Sequence, residues 1–307
     1  MPNRLRGNPV QIKFWGVRGS IATPGDATKK YGGNTACTEL TLDDGNLIIL
    51  DAGTGIRTLG EELIERGGKV SAYILITHPH WDHIQGFPFF RPAFMEGNFL
   101  TIAGPEAKGL KLKDLIAGQM DKVYFPVRLS ELEAEISFVP LTEGTFKVFD
   151  AEVESIYVNH PGFTLGYRIT YGGKTLVYIS DNEPFSRESS HMFTNGDRSI
   201  IKLFASERND PNDRIVNFVK GADVLIHDAT YTPELYKEHV GWGHSDYLFT
   251  MQVAAKAGVK KLCLFHYDPL LDDEKLDMVV ADCEDWIKKM NYGFELCPAM
   301  EGLEFTV

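Results

Sequence analysis

The sequence predicts an α/β protein in which two β-sheets pack together and carry helices on their outer faces. Two observations predict it. Short β-branched and apolar runs alternate with amphipathic stretches along the whole chain, and two strand-rich halves are each followed by helical segments.

Taken in order, Gln11–Gly16 reads as the first strand. Residues Val17–Asn34 are rich in Gly and Pro without periodicity, so they read as a long loop of the kind that carries function. Thr38–Leu42 and Leu47–Asp51 form a hairpin pair, with Asp44-Gly45 as the turn signal. Arg57–Arg66 is a helix stopped by Gly67-Gly68. Ala72–Ile76 is continuously apolar, as a strand buried on both faces requires. Leu110–Met120 reads as a helix. Ile136–Pro140, Phe146–Val148, Glu152–Val158, Gly166–Thr170 and Thr175–Ile179 follow as strands in series, the last two joined at Gly172-Gly173. The polar, irregular stretch near 183–208 reads as an insertion or loop within a single domain spanning 1–307. A short helix (Arg214–Lys220), a strand (Val224–Ile226), a helix (Ser245–Ala257), a strand (Lys261–Phe265) and a helix (Glu274–Met290) come next. Short strands near Phe294–Leu296 and Leu303–Val307 close the chain.

Composition narrows the function. With 43 % hydrophobic and 24 % charged residues, the 307-residue chain can bury a full core without staples. Its net charge of −12 disfavours a long nucleic acid as partner, because nonspecific nucleic-acid binding rests on basic surface. Four dispersed cysteines, Cys37, Cys263, Cys283 and Cys297, show no metal-ribbon spacing and suit reduced, buried thiols. The N-terminus lacks an apolar signal region, and no run is long enough to span a membrane. A cytoplasmic protein without membrane contact is the expectation.

The strongest chemical signal is Thr77-His78-Pro79-His80-Trp81-Asp82-His83, directly after a buried strand. Alternate residues of an extended segment point the same way, so His78 and His80 can share one metal ion. Asp82 and His83 follow once the chain turns and can face a second ion. Imidazole with carboxylate suits zinc, manganese or iron. His160, Asp181 and His266 each stand at the end of an apolar run, where side chains can converge on one rim of a sheet. Any one of them alone would pass as a hydrogen-bonded histidine or a turn aspartate; together with the first motif they complete a ligand set for two ions.

This ordered set, from Asp51 at the end of an early strand through H-x-H-x-D-H to His266, resembles the metallo-β-lactamase superfamily over nearly the whole chain. The resemblance implies a four-layer αββα sandwich. It implies that His78, His80 and His160 hold one divalent ion, that Asp82, His83 and His266 hold the other, and that Asp181 bridges them. Zinc is the first expectation for both ions, with manganese or iron as alternatives. Asp51 becomes an outer-shell orienter or else an ordinary turn aspartate. The segments Gly241–Asp246 (GWGHSD) and Ile226–Thr230 (IHDAT) resemble the paired motifs of the ribonuclease Z and phosphodiesterase branch. By that resemblance His244 is a general acid and Asp228 its orienter, and Asp82 joins them in the catalytic set. His244 otherwise reads as a structural histidine near a helix cap. Ser245 and Asp246 are both N-cap candidates for the helix that follows.

Two departures loosen the substrate. Asp228 stands where ribonuclease Z has a longer glutamate, and Asp246 follows Ser245 where that branch has threonine. No basic, Gly/Pro-rich arm for gripping tRNA is evident. The expected reaction is therefore hydrolysis of a small anionic phosphodiester, a cyclic nucleotide or short nucleic acid, by a metal-bridging hydroxide. Thioester or lactone hydrolysis, or iron-dependent oxygenation, is the alternative on the same fold. His80 stands where the di-iron oxidoreductases of the superfamily carry a carboxylate, which argues against the redox branch. The branch is often dimeric, so a homodimer is the assembly the resemblance implies.

The segments FWGVRGSIATPG and KKYGGNTACTEL resemble metal-dependent hydrolases near the cyclic-nucleotide phosphodiesterases, which offers Arg18, Ser20 and Asn34 for the pocket mouth; packing across the sheet edge is the other reading. His191 and His239 read as solvent-exposed and His227 as structural. Phe87, Phe89, Phe90 and Phe94 read as core, or as the wall of a pocket for an organic group.

Overall fold

The computed structural model describes residues 9–106, 109–186 and 210–307. Its strands form two mixed sheets of seven. The first contains β1 (Gln11–Gly16), β2 (Cys37–Thr41), β3 (Leu47–Leu50), β4 (Ser71–Leu75), β5 (Phe99–Pro105) and β6 (Glu135–Leu141), and is completed by the last strand, β14 (Glu304–Thr306). Its order is β14-β1-β2-β3-β4-β5-β6. The second runs β13-β12-β11-β10-β9-β8-β7, from β7 (Gly144–Val148), β8 (Ala151–Tyr157), β9 (Leu165–Tyr171), β10 (Lys174–Ile179), β11 (Val224–Asp228), β12 (Lys261–Phe265) and β13 (Glu295–Pro298).

Strand sequences show why the sheets lie inside. In β3, Ile48 and Leu50 face the core between the sheets, while Leu47 and Ile49 face the layer under α1 (Gly55–Arg66). The period of two therefore delivers one apolar face to each side. From the second sheet, Val153, Tyr167, Val177 and Ile179 meet Phe14, Leu40 and Ile48 of the first in one shared core. Helix α1 and the short α3 (Leu112–Gly118) cover the first sheet, while α4 (Asn212–Phe218), α6 (Tyr247–Ala257) and α7 (Asp273–Met290) cover the second. Two one-turn helices, α2 (Trp81–Ile84) and α5 (Pro233–Tyr236), sit in the rim loops. This is the expected αββα sandwich. No described helix is long and apolar enough to cross a membrane.

Three sequence expectations are adjusted. The strand β5 was not anticipated: Phe99–Pro105 mixes Thr and Gly into its apolar run, yet it pairs in parallel with both β4 and β6. Helix α6 begins at Tyr247, and its cap is Asp246, whose carboxylate accepts from the Leu248 and Phe249 amides. Of the expected insertion near 183–208, only 183–186 lie among the described residues, and His191 lies outside them.

The site's position follows from topology. Strands β3 to β6 run parallel to one another, as do β10 to β13. The loops after β3, β4, β10, β11 and β12 therefore leave at the carboxyl ends of parallel strands, where open α/β sheets place their sites. The Tyr167 hydroxyl donates to the Ile76 carbonyl at 2.6 Å, tying the second sheet to the first beside the histidine loop.

Candidate metal centre

Asp51 directly follows β3 and takes a left-handed φ of 60°, a conformation aspartate tolerates better than most residues. Its carboxylate receives the Thr77 amide (2.8 Å), the Thr77 hydroxyl (3.0 Å) and the Tyr178 hydroxyl (2.9 Å), and lies 2.8 Å from His83 Nδ1. With its Nδ1 held there, His83 turns Nε2 inward. Thr77 Oγ1 lies 3.1 Å from His78 Nδ1 and does the same for that ring. His160 Nδ1 donates to the Gly243 carbonyl at 2.8 Å. Thr230 Oγ1, 3.1 Å from His266 Nδ1 and donating to Asp228 Oδ1 at 2.7 Å, fixes the fourth ring. Such outer partners set the tautomer and aim of ligating imidazoles.

The inward nitrogens then converge. His78 Nε2 lies 2.8 Å from His80 Nδ1, and His160 Nε2 lies 3.1 Å from the same atom. On the other side His83 Nε2 is 3.2 Å from His266 Nε2, and both lie 3.3 Å from Asp82 Oδ2. Asp181 sits between the groups: Oδ2 is 3.7 Å from His78 Nε2 and from His160 Nε2, and 3.4 Å from His266 Nε2. Three of the triads with metal-holding geometry are His78–His80–His160, His78–His83–Asp181 and Asp82–His83–His266. All seven ligand positions expected from the sequence are thus together at one rim.

The donor chemistry fits cations. Ring nitrogens cannot face one another at such distances without a proton or a metal between them. Asp181 Oδ1 is buried and lies 3.2 Å from His83 Nε2, so both of its carboxylate oxygens are turned toward ring nitrogens. Burial pushes the His160 imidazole down to about 3 and lowers His78 well below its usual value, whereas at His83 burial is outweighed by Asp181, Asp82 and Asp51, which raise it. Burial would raise Asp82, but His83 and the hydrogen bonds from His266 and His83 outweigh it and keep its carboxyl ionised.

Against this cluster stands a second pair. His244 Nδ1 is 2.9 Å from Asp228 Oδ2 and 3.8 Å from Asp181 Oδ2, and its ring stacks on His266. Asp228 is saturated, accepting also from the Asn182 amide and from the Thr230 amide and hydroxyl. Burial opposes charge on His244, but Asp228 and Asp181 overcome it and lift the ring to about 9.

Sequence reasoning missed Glu183. Buried in the segment read as an insertion, it accepts from the Gly241 and Gly243 amides at 2.6 and 2.9 Å and from the Tyr236 hydroxyl at 3.0 Å. It thereby pins the loop that carries His244 and the carbonyl held by His160. Its only sequence signal is an acidic residue two places after Asp181. Two glycines serve the same packing: a Cβ at Gly19 would fall 2.2 Å from His266 Cε1, and one at Gly243 (φ 90°) 2.4 Å from His160 Nδ1.

Other candidates fall elsewhere. Arg18 is fully buried; its guanidinium donates to the carbonyls of Gly32, Asp268 and Leu271, so it braces loops rather than lining a mouth. Asn34 is spent on Glu301. Ser20 does reach the centre, its amide donating to Asp82 Oδ2 at 2.6 Å. His239 is not a free surface residue: it stacks on Tyr231 and bonds the Leu235 carbonyl. His227 is buried, 2.8 Å from the Asp228 carbonyl, in keeping with a structural role. Phe87 and Phe90 are core, whereas Phe89 and Phe94 line surface grooves.

Residues 46–211 match the beta-lactamase superfamily domain. A ribonuclease Z of Sulfurisphaera tokodaii is 46 % identical over 221 residues, covering 64 % of this chain and 70 % of that protein. A ribonuclease Z of Exiguobacterium sibiricum is 30 % identical over 233 residues, covering 67 % and 74 %. In fold, the chain is similar to the metallo-beta-lactamase fold protein YhfI of Bacillus subtilis, with a TM-score of 0.65 at 17 % identity over 98 % of this chain and 100 % of that one. It is also similar to the short form of human tRNase Z, with a TM-score of 0.62 at 18 % identity over 96 % and 98 %. The chain belongs to the beta-lactamase superfamily, alongside the ribonuclease Z proteins, and is a hydrolase of phosphodiester bonds.

Proposed function

We propose that this hydrolase is a two-metal phosphodiesterase acting on a small anionic diester, a cyclic nucleotide or short nucleic acid. His78, His80 and His160 would hold one divalent ion and Asp82, His83 and His266 the other, with Asp181 shared; zinc suits this imidazole-rich set, and manganese or iron are the alternatives. Ions held there would supply a Lewis acid to the phosphoryl group and the activation of water.

The chain's own residues do the rest. Asp228 fixes the His244 ring by its Nδ1, which leaves Nε2 to donate a proton to the departing oxygen. Glu183 holds the loop that presents His244, and Ser20 steadies the Asp82 carboxylate through its amide. The single observation carrying this reading is the His244–Asp228 pair, 2.9 Å apart and adjoining Asp181, because ester hydrolysis with a poor leaving group needs a positioned acid beside the electrophile.

A small substrate is supported by the net charge of −12, which a long polyanion would meet with repulsion. Four buried free cysteines support a reducing, cytoplasmic setting. A core shared by both sheets supports reading the chain as one domain, and a homodimer is the assembly we assign by kinship.

The test is an assay of the purified, metal-loaded protein on bis-p-nitrophenyl phosphate beside a thioester and a lactone. Phosphodiester turnover that His244→Ala lowers while bound metal is retained is the expected result. Turnover of the thioester or lactone alone would overturn the reading.

A further inference from the structure

Two of the four cysteines, Cys263 in β12 and Cys297 in β13, are partners in one parallel ladder. Neighbouring strands lie about 4.7–4.9 Å apart, and paired residues point to the same face of their sheet. That spacing falls inside the roughly 4.4–6.8 Å between Cα atoms that a disulfide spans. The side chains already meet, Cys263 hydrogen-bonding to Cys297. Two positions earlier the same ladder pairs Lys261 with Glu295, and their ammonium and carboxylate lie 2.9 Å apart.

Cys263 is sealed in the core, whereas Cys297 keeps 8 % exposure on β13, the edge strand of its sheet. Access and chemistry divide between the two in the same sense. The hydrogen bond from Cys263 lowers the Cys297 thiol below its ordinary value, and Lys261 assists it against burial and Glu295. Burial raises Cys263 well above that value. The other two thiols lie on separate elements, Cys37 in β2 and Cys283 in α7, and burial raises both, Cys283 to about 12. A thiolate is the reactive form, so Cys297 is the sulfur that meets an oxidant first.

We propose that Cys297 and Cys263 are an oxidation site that closes a reversible disulfide between β13 and β12. The oxidant is a peroxide. The Cys297 thiolate attacks one peroxide oxygen, the O–O bond breaks, and a sulfenic acid forms as the departing oxygen takes up a proton. The Cys263 sulfur then attacks the Cys297 sulfur, and its proton leaves with the sulfenic hydroxyl as water. Two thiols are oxidised to one disulfide, and hydrogen peroxide is reduced to two waters. A dithiol reverses the bond by exchange. The bond staples β13, which continues toward Glu301, the partner of Asn34, to β12, which ends beside His266. Because the two residues are already paired, the clasp closes without a change of register.

The test treats the reduced, folded full chain with hydrogen peroxide, blocks the remaining thiols and maps its peptides without reductant. The expected result is the loss of two of the four thiols, one cross-linked peptide joining Cys263 to Cys297, and recovery of both thiols with dithiothreitol. Cys263→Ala should leave Cys297 as a sulfenic acid that dimedone traps, to a greater extent than in the wild-type chain. Four thiols that survive peroxide, a bond between any other pair, or a cross-link that forms only after denaturation overturns the proposal. Dimedone captured on Cys263 instead of Cys297 in the wild-type chain overturns the order of attack. The wild-type peptide map decides the matter even where the variant fails to fold.

Discussion

The two sheets build their shares of the centre in different ways. The first sheet delivers His78, His80, Asp82 and His83 from one loop and one helical turn after β4, steadied by Asp51 at the end of the neighbouring β3. The second delivers a single residue per strand end, with His160 after β8, Asp181 after β10, Asp228 at the end of β11 and His266 after β12. One half is a local motif. The other exists only once the sheet has formed, and it depends on side chains such as Thr230 and Glu183 to aim each donor. The contrast teaches that the first half's donors are neighbours by sequence, whereas the second half's become neighbours only through strand pairing and the loops it brings together.

Breaking that contrast should give graded effects. The largest is expected on the second sheet, where His244→Ala should lower kcat by about 10²–10⁴-fold, the usual share of a positioned acid, while metal content holds. On the first sheet, Asp51→Ala should weaken metal affinity by about 10–100-fold, because His83 loses the partner that fixes its tautomer; competition with a chromogenic chelator reads this directly. The smallest chemical effect should come from Glu183→Ala. It removes hydrogen bonds to a buried carboxylate and should destabilise the fold by about 1.5–3 kcal/mol, measured by urea unfolding, with metal affinity changed less than by Asp51→Ala. A loss of metal affinity in that variant as large as in Asp51→Ala would show that Glu183 aims His160 through the Gly243 loop as firmly as Asp51 aims His83.

Legibility in the sequence follows the same division. H-x-H-x-D-H could be read as a site outright, since neighbouring positions stay neighbours in any fold. His160, Asp181 and His266 were legible only as polar residues ending apolar runs, which became meaningful as a set through the superfamily resemblance. Glu183 was hidden, because its value lies in the Gly241 and Gly243 amides, some sixty positions away, that fold onto it. Arg18 left two readings open, a pocket mouth or packing across the sheet edge, and three backbone carbonyls that draw it inside decide for packing. Strand β5 escaped because Thr101 and Gly104 interrupt its apolar pattern, while its pairing with β4 and β6 is nonlocal.

The central claim is that side chains from both sheets together hold two cations. Elemental analysis of the purified protein, beside Asp181→Ala, tests it most directly, because Asp181 is the carboxylate placed between both groups. The account predicts about two divalent ions per wild-type chain, as a two-metal site requires, and a marked loss of bound metal in the variant. A wild-type protein that binds no transition metal, or a variant that keeps the full complement, would contradict it.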